Sequence, residues 1–199
     1  MSEKNNLFPI FLKAEQLKFL LVGGGNVALE KLEAILRNSP SANINIIAKE
    51  VKRKEIIDIV NNNPAISLKE KSFEPDDLQG AEIVMMATDS RELHIEIRNL
   101  ARQKNLLVNV ADTPDLCDFY LGSTVTKGSL KIGISTNGKS PTLSKRMRQY
   151  LEETIPEDID DLINKLVDIR QQLKGDFEYK VNQLNDITAS WLDKKKDDQ

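Results

Sequence analysis

One passage restricts the fold of this chain more than any other: QLKFLLVGGGNVALEKLEAILRN, residues 16–38. Leu17 to Val22 form an apolar run broken only by Lys18, the pattern of a strand buried on both faces. Three glycines follow, and then Val27, Leu29, Leu32, Ile35 and Leu36 recur at roughly helical spacing. Strand, tight glycine turn and helix open a βαβ unit. Gly23 to Ala28 also fit the pattern G-x-G-x-x-A. Gly23 permits the tight turn, Gly25 lets the backbone approach a pyrophosphate, and the small Ala28 lets helix and strand pack closely. The helix N-terminus offers amide donors to the phosphates. A purely structural turn is the competing reading, and the strand-to-helix context favours a dinucleotide.

The same alternation continues downstream. Asn43 to Ala48 read as a second strand, and VKRKEIIDIVNNN as a helix that ends before Pro64. AISLKEKSF reads as a third strand and Glu82 to Ala87 as a fourth. A helix then starts at an N-cap on Ser90, and LLVNVAD is the fifth strand. Strands alternating with helices predict a parallel sheet with right-handed crossovers, a Rossmann-like doubly wound α/β domain over residues 1–113.

The pattern then changes. Two strands meet around Lys127-Gly128 with no helix between them, which predicts a β-hairpin within residues 114–140. Residues 141–199 read as a helical domain. Its first helix is capped by Ser140 with Pro141 at the first position. Ile159, Leu162, Ile163, Leu166, Ile169 and Leu173 form one helical stripe, Gly175 interrupts it, and Phe177, Val181, Leu184 and Trp191 mark another. The tail DKKKDDQ reads as frayed. A hairpin between a nucleotide domain and a helical cap suits a dimerisation arm.

Composition narrows the chemistry. A net charge of -3 argues against a general nucleic-acid binder. No apolar run approaches the roughly 20 residues a membrane span needs, and the N-terminus does not read as a signal peptide. The single cysteine, Cys117, excludes an intramolecular disulfide framework and fits a reducing cytoplasm. With one histidine, His94, and one cysteine, catalysis must come mainly from a cofactor or from carboxylates.

Candidate residues follow from the topology, because ligands of open α/β sheets collect at the carboxyl ends of the strands. Lys49 and Glu50 end the second strand. Glu50 suits the ribose hydroxyls of NAD, whereas Lys49, Lys52 and Arg53 suit a 2′-phosphate; NAD is favoured. Thr88 and Asp89 end the fourth strand, beside the expected cofactor or simply before the helix cap. Asp112 ends the fifth strand, either as turn punctuation before Pro114 or as a reactive carboxylate. His94 reads as a packed or surface residue rather than a catalyst. Lys139, Lys145, Arg146 and Arg148 around the N-terminus at Ser140 make an anion site or a solvated basic face.

As a set, LFPIFL, FLLVGGGNVALEK, MATDS, LLVNVADTPDLCDFYLGS and LKIGISTNGKSPTLSKRMR resemble the precorrin-2 dehydrogenase/sirohydrochlorin ferrochelatase family, the first module of siroheme synthase. The resemblance covers nearly the whole chain. It implies NAD-dependent oxidation of precorrin-2 to sirohydrochlorin, with iron or cobalt insertion in some members, and a homodimer joined through the hairpin segment. It implies Asp112 as the key acid: general base, and transient holder of the metal where one is inserted, with no preformed metal site. It implies cofactor contacts at Gly25, Asn26, Val27, Lys49 and Glu50. Ser140, Lys145 and Arg146 suit the carboxylates of the tetrapyrrole. Ser135-Thr136-Asn137 stands where relatives often carry two serines before the glycine, the second phosphorylated in some, and His94 replaces a common asparagine. No methyltransferase module follows in this sequence. A nucleotide-sensing module without chemistry is the competing class, opposed by the basic segment after Gly138 and the placed acid.

Overall fold

The computed structural model describes residues 4–189; Trp191 and the tail predicted to fray lie outside the described residues. The chain divides into two compact units, one of residues 8–121 and one joining the N-terminal residues through Leu7 to those from Gly122 onward.

The first unit is the doubly wound domain. Strands β1 (Lys18–Val22), β2 (Asn43–Ala48), β3 (Ile66–Glu70), β4 (Ile83–Met86) and β5 (Leu107–Val110) form one parallel sheet in the order β3-β2-β1-β4-β5. Helices α1 (Asn26–Asn38) and α2 (Lys54–Asn62) follow β1 and β2, and α3 (Arg91–Gln103) follows β4. Alternate residues of each strand feed opposite layers. Phe19 and Leu21 of β1 pack with Leu32 of α1, Ile44, Ile56 and Met85; Leu20 and Val22 pack with Val84, Ile97 of α3 and Val108. Between β3 and β4 the crossover is a short 3-10 turn, Pro75–Leu78, rather than a full helix. The sheet is therefore less covered there, and β2 alternates exposed Asn43 and Asn45 with buried Ile44 and Ile46.

Strand β5 is an edge strand, and an open edge leaves backbone groups unpaired. The returning segment covers it. The Asp118 amide donates to the Val108 carbonyl (2.8 Å), and the Asp118 carboxylate accepts from the Val108 amide (2.9 Å). That carboxylate also takes both terminal nitrogens of Arg98 on α3, at 2.8 and 2.5 Å. This return holds residues 114–121 to the α/β unit, so the first compact unit runs on to Leu121, past the boundary the sequence pattern suggests at residue 113.

The second unit contains the hairpin β6 (Ser123–Lys127) and β7 (Leu130–Ile134), then α4 (Pro141–Thr154), α5 (Ile159–Gln172) and α6 (Phe177–Thr188). The Ser129 amide in the hairpin turn donates to Asp160 at the start of α5 (2.8 Å). No described helix is long and apolar enough to cross a membrane.

Candidate active site

The carboxyl ends of β1, β4 and β5 lie side by side, and their ladders run on past the strands: Ala87 N–H donates to Val22 and Ala111 N–H to Met86. At the end of β1 the three glycines have three separate duties. Gly23 adopts φ +138°, and a Cβ there would lie 2.3 Å from the Ala87 carbonyl oxygen. A Cβ on Gly24 would lie 2.4 Å from the Glu50 carbonyl oxygen. Around Gly25 there is open space, with no atom within 4 Å of a Cβ built there. Gly25 caps α1 without a side chain, and the first helical bond runs from Leu29 N–H to its carbonyl. The amides of Asn26, Val27 and Ala28 therefore have no partner inside the helix. Open space over free amides fits the pyrophosphate of a dinucleotide, and Ala28, fully buried, gives the close packing expected of it.

Lys49 and Glu50 lie just beyond β2, exposed, in a bend that precedes α2 by several residues. The loop is tied to the glycine turn: the Lys52 amide donates to the Gly24 carbonyl (2.9 Å) and Arg53 Nη1 to Asn26 Oδ1 (2.9 Å). Arg53 is also paired with Glu55 (2.5 Å), so it does not stand free for a 2′-phosphate. That pairing holds the Arg53 guanidinium above its ordinary range and the Glu55 carboxyl below its own.

A cavity of about 250 Å³ opens at the ends of β4 and β5, lined by Val27, Ala87, Thr88, Asp89, Arg91, His94, Ala111, Asp112 and Thr113. It brings together the predicted residues Val27, Thr88, Asp89 and Asp112 and adds His94, which the sequence left as a packing residue. His94 is both: only 4% exposed, it shares a 2.9 Å hydrogen bond with Thr88 Oγ1. Burial lowers its pKa below the ordinary imidazole value. A larger hollow, about 320 Å³, lies over β2 and β3 beside Asn45, Ser67 and Lys69. It is the stretch of sheet left bare by the short crossover and lies away from the strand ends. The smaller cavity is therefore the candidate site.

Asp112 is exposed and sits at φ +52°, the left-handed region that non-glycine residues seldom occupy. Aspartate and asparagine enter it more readily than other side chains, and Asn105 and Asn137 do so here as well. The turn is tied back to β5 by the thiol of Cys117, which accepts from the Val110 amide (3.2 Å) and lies 3.2 Å from the Val110 carbonyl oxygen and 3.5 Å from that of Thr113. Thr113 Oγ1 donates to the Ala111 carbonyl (2.9 Å). Asn109 Nδ2 donates to the Phe119 carbonyl (2.8 Å), and Lys31 Nζ donates to Asn109 Oδ1. Sequence reasoning missed Lys31. The available signal was its place on α1, four residues from both Val27 and Ile35 on the packed stripe.

In the second unit, Ser140 Oγ accepts from the Leu143 amide (3.2 Å) and caps α4 as expected. Thr136 Oγ1 braces the same turn, accepting from Ser140 N–H and contacting Ser144 Oγ, each at 3.2 Å. Lys145 and Arg146 are exposed, Arg146 within 3.4 Å of Gln149. Arg148 is paired with Glu152 (2.8 Å) and so does not belong to a set of open cations.

A family model described as putative NAD(P)-binding matches residues 10–123, and one described as sirohaem biosynthesis protein central matches residues 127–154. The siroheme synthase of Vesicomyosocius okutanii subsp. Calyptogena okutanii is 36% identical over 172 residues, 86% of this chain and 36% of that protein. That of Psychrobacter cryohalolentis is 33% identical over 186 residues, 94% of this chain and 34% of that protein. The chain thus spans about a third of the length of these curated relatives. Among solved structures, SirC, precorrin-2 dehydrogenase, superposes with a TM-score of 0.67 at 23% identity, covering 91% of this chain and 89% of that one, and so shares the fold. The glycine turn, the strand order and these matches agree: the chain belongs to the putative NAD(P)-binding family, and the curated relatives named above are siroheme synthases.

Proposed function

We propose that this protein is an NAD-dependent precorrin-2 dehydrogenase of siroheme biosynthesis in which Asp112 is the general base. The observation that carries the reading is the conformation of Asp112: an exposed carboxylate kept at φ +52° on the rim of the cavity that also contains Val27 and Thr88. Gly23 to Ala28 would hold the pyrophosphate, and Lys49 and Glu50 would face the adenosine ribose. Asn26 is fixed by Arg53, whose pairing with Glu55 favours NAD over its 2′-phosphorylated form. Bound NAD supplies the hydride acceptor. Dehydrogenation removes two hydrogens from the tetrapyrrole; one leaves as hydride and the other as a proton that Asp112 accepts and, being exposed, returns to solvent. The start of α4, with Ser140, Lys145 and Arg146, would bind peripheral carboxylates.

The same reading includes a homodimer formed through β6 and β7 in the cytoplasm, where Cys117 stays a free thiol. Strands β6 and β7 form a two-stranded sheet, and two strands alone are marginal in water. Anaerobic incubation of the protein with precorrin-2 and NAD should yield NADH and the sirohydrochlorin spectrum in equal amounts. Asp112→Asn should abolish turnover while NAD still binds. Absence of NADH from the wild-type protein, or full turnover by the variant, would overturn the reading.

A further inference from the structure

We propose that Lys31 is a positioning residue for the reaction at Asp112: its ammonium fixes Asn109 and, through it, the turn that presents the carboxylate. The inference rests on Asp112 being the base. Two observations support it independently of that assignment.

The first is where the pair Lys31 and Asn109 sits. Asn109 is 4% exposed and pairs in register with Met85, which packs in the layer between the sheet and α1. An apolar side chain would fill that position at no electrostatic cost. The chain instead places a carboxamide on the strand and a lysine on the helix, bonded to each other. Burial lowers the pKa of Lys31, which makes a charge there costly, and Cys117, Asp112 and Glu30 oppose that shift. A strained or costly arrangement of this kind persists where function requires it.

The second is connectivity. Asn109 has both ends of its carboxamide in use: Oδ1 accepts from Lys31, and Nδ2 donates to the Phe119 carbonyl. Phe119 follows Asp118 and Cys117, the residues that close the Asp112 turn onto β5. Lys31 is thus anchored on the helix that begins at the cofactor turn and holds the far end of the loop that carries Asp112. A charged donor makes that grip about twice as strong as a neutral one.

The test is steady-state kinetics and NAD titration on the full chain for Lys31→Arg, Lys31→Gln and Lys31→Met, beside Asp112→Asn, with melting curves for each. Lys31→Met removes charge and donor, Lys31→Gln keeps a donor without charge, and Lys31→Arg keeps both. Misplacing a base costs on the order of 100-fold in rate, so kcat should fall by roughly 10- to 100-fold in the Met and Gln variants. The dissociation constant for NAD should stay within about twofold, and Lys31→Arg should recover most of the rate. Wild-type kcat in Lys31→Gln, an Arg variant as slow as the Met variant, or parallel loss of NAD affinity would each overturn the proposal. If the Met variant fails to fold, the Gln and Arg variants decide. An inactive Asp112→Asn beside fully active Lys31 variants removes Lys31 alone. An active Asp112→Asn removes the base assignment and this inference together.

Discussion

The two units of this chain are built on unequal terms. Among the described residues, Val125 is the single buried apolar side chain of the hairpin-helical unit, and every other one lies in the α/β unit. Helix α1 buries Ala28, Leu29, Leu32 and Ile35, whereas α5 and α6 bury none. Phe177 is 71% exposed, with the Arg170 guanidinium 5.9 Å from its ring. The contrast separates two ways of using a sequence. The α/β unit buries its apolar residues in its own core and so gives the turn at Asp112 a firm base. The hairpin-helical unit keeps half-covered apolar stripes and suits assembly with a second copy, as the homodimer reading requires.

The comparison is broken most severely in the core. Leu32 is fully buried between α1 and the sheet. Leu32→Ala should lower unfolding free energy by about 3–5 kcal/mol. The same change at half-buried Leu166 on α5 should cost less than about 1 kcal/mol in dilute protein. Urea unfolding at low concentration checks both. Equal losses at the two sites would remove the distinction. A Leu166→Ala loss that grows with protein concentration would instead place that stripe in an interface.

Ion pairs give a second, smaller contrast. Arg98 and Asp118 keep side-chain exposures of 10% and 26%, and the carboxylate also holds the edge of β5. Arg98→Met should cost about 2 kcal/mol, less than a fully buried pair because Asp118 retains water and the Val108 amide. Arg148 and Glu152 on α4 are a more exposed pair four residues apart. Arg148→Met should cost about 0.3–0.5 kcal/mol. Chemical denaturation resolves the difference, and similar values for both would mean that the edge of β5 does not depend on Asp118.

Much of the α/β unit is legible from local pattern. The strand runs, the cap at Ser90 and the glycine turn are short-range features with fixed physical causes, as is the cap at Ser140 in the other unit. The stripe on α5 also falls on the half-covered face its spacing predicts, although spacing cannot tell a covered face from one awaiting a partner. What escaped was non-local. Gly24 is needed because the Glu50 carbonyl comes to it from another loop. Cys117 is a brace because it returns to Val110. Lys31 and Asn109 meet across 78 positions, and neither residue type announces a buried pair. The placement of a residue was therefore readable where one strand end sufficed, as for Asp112 just past β5, and unreadable where two segments had to meet.

The smallest expected effect concerns His94, where a single group separates folded from unfolded titration. Burial holds its folded pKa below the ordinary value of 6.5, with the Thr88 contact opposing and Arg91 and Lys31 assisting. Below pH 6.5 the unfolded chain therefore takes up a proton that the folded chain refuses. The unfolded state then binds more protons, so stability rises with pH through that window and falls as pH drops from 6.5 toward the lower folded value. Above the window His94 is neutral in both states and contributes no slope. Replacing it with asparagine removes the titration, and the stability curve of His94→Asn should be flatter than that of the wild-type protein just below pH 6.5. Superimposable curves for the two proteins would show that His94 titrates alike folded and unfolded. Its hydrogen bond to Thr88 would then have to offset the desolvation in full.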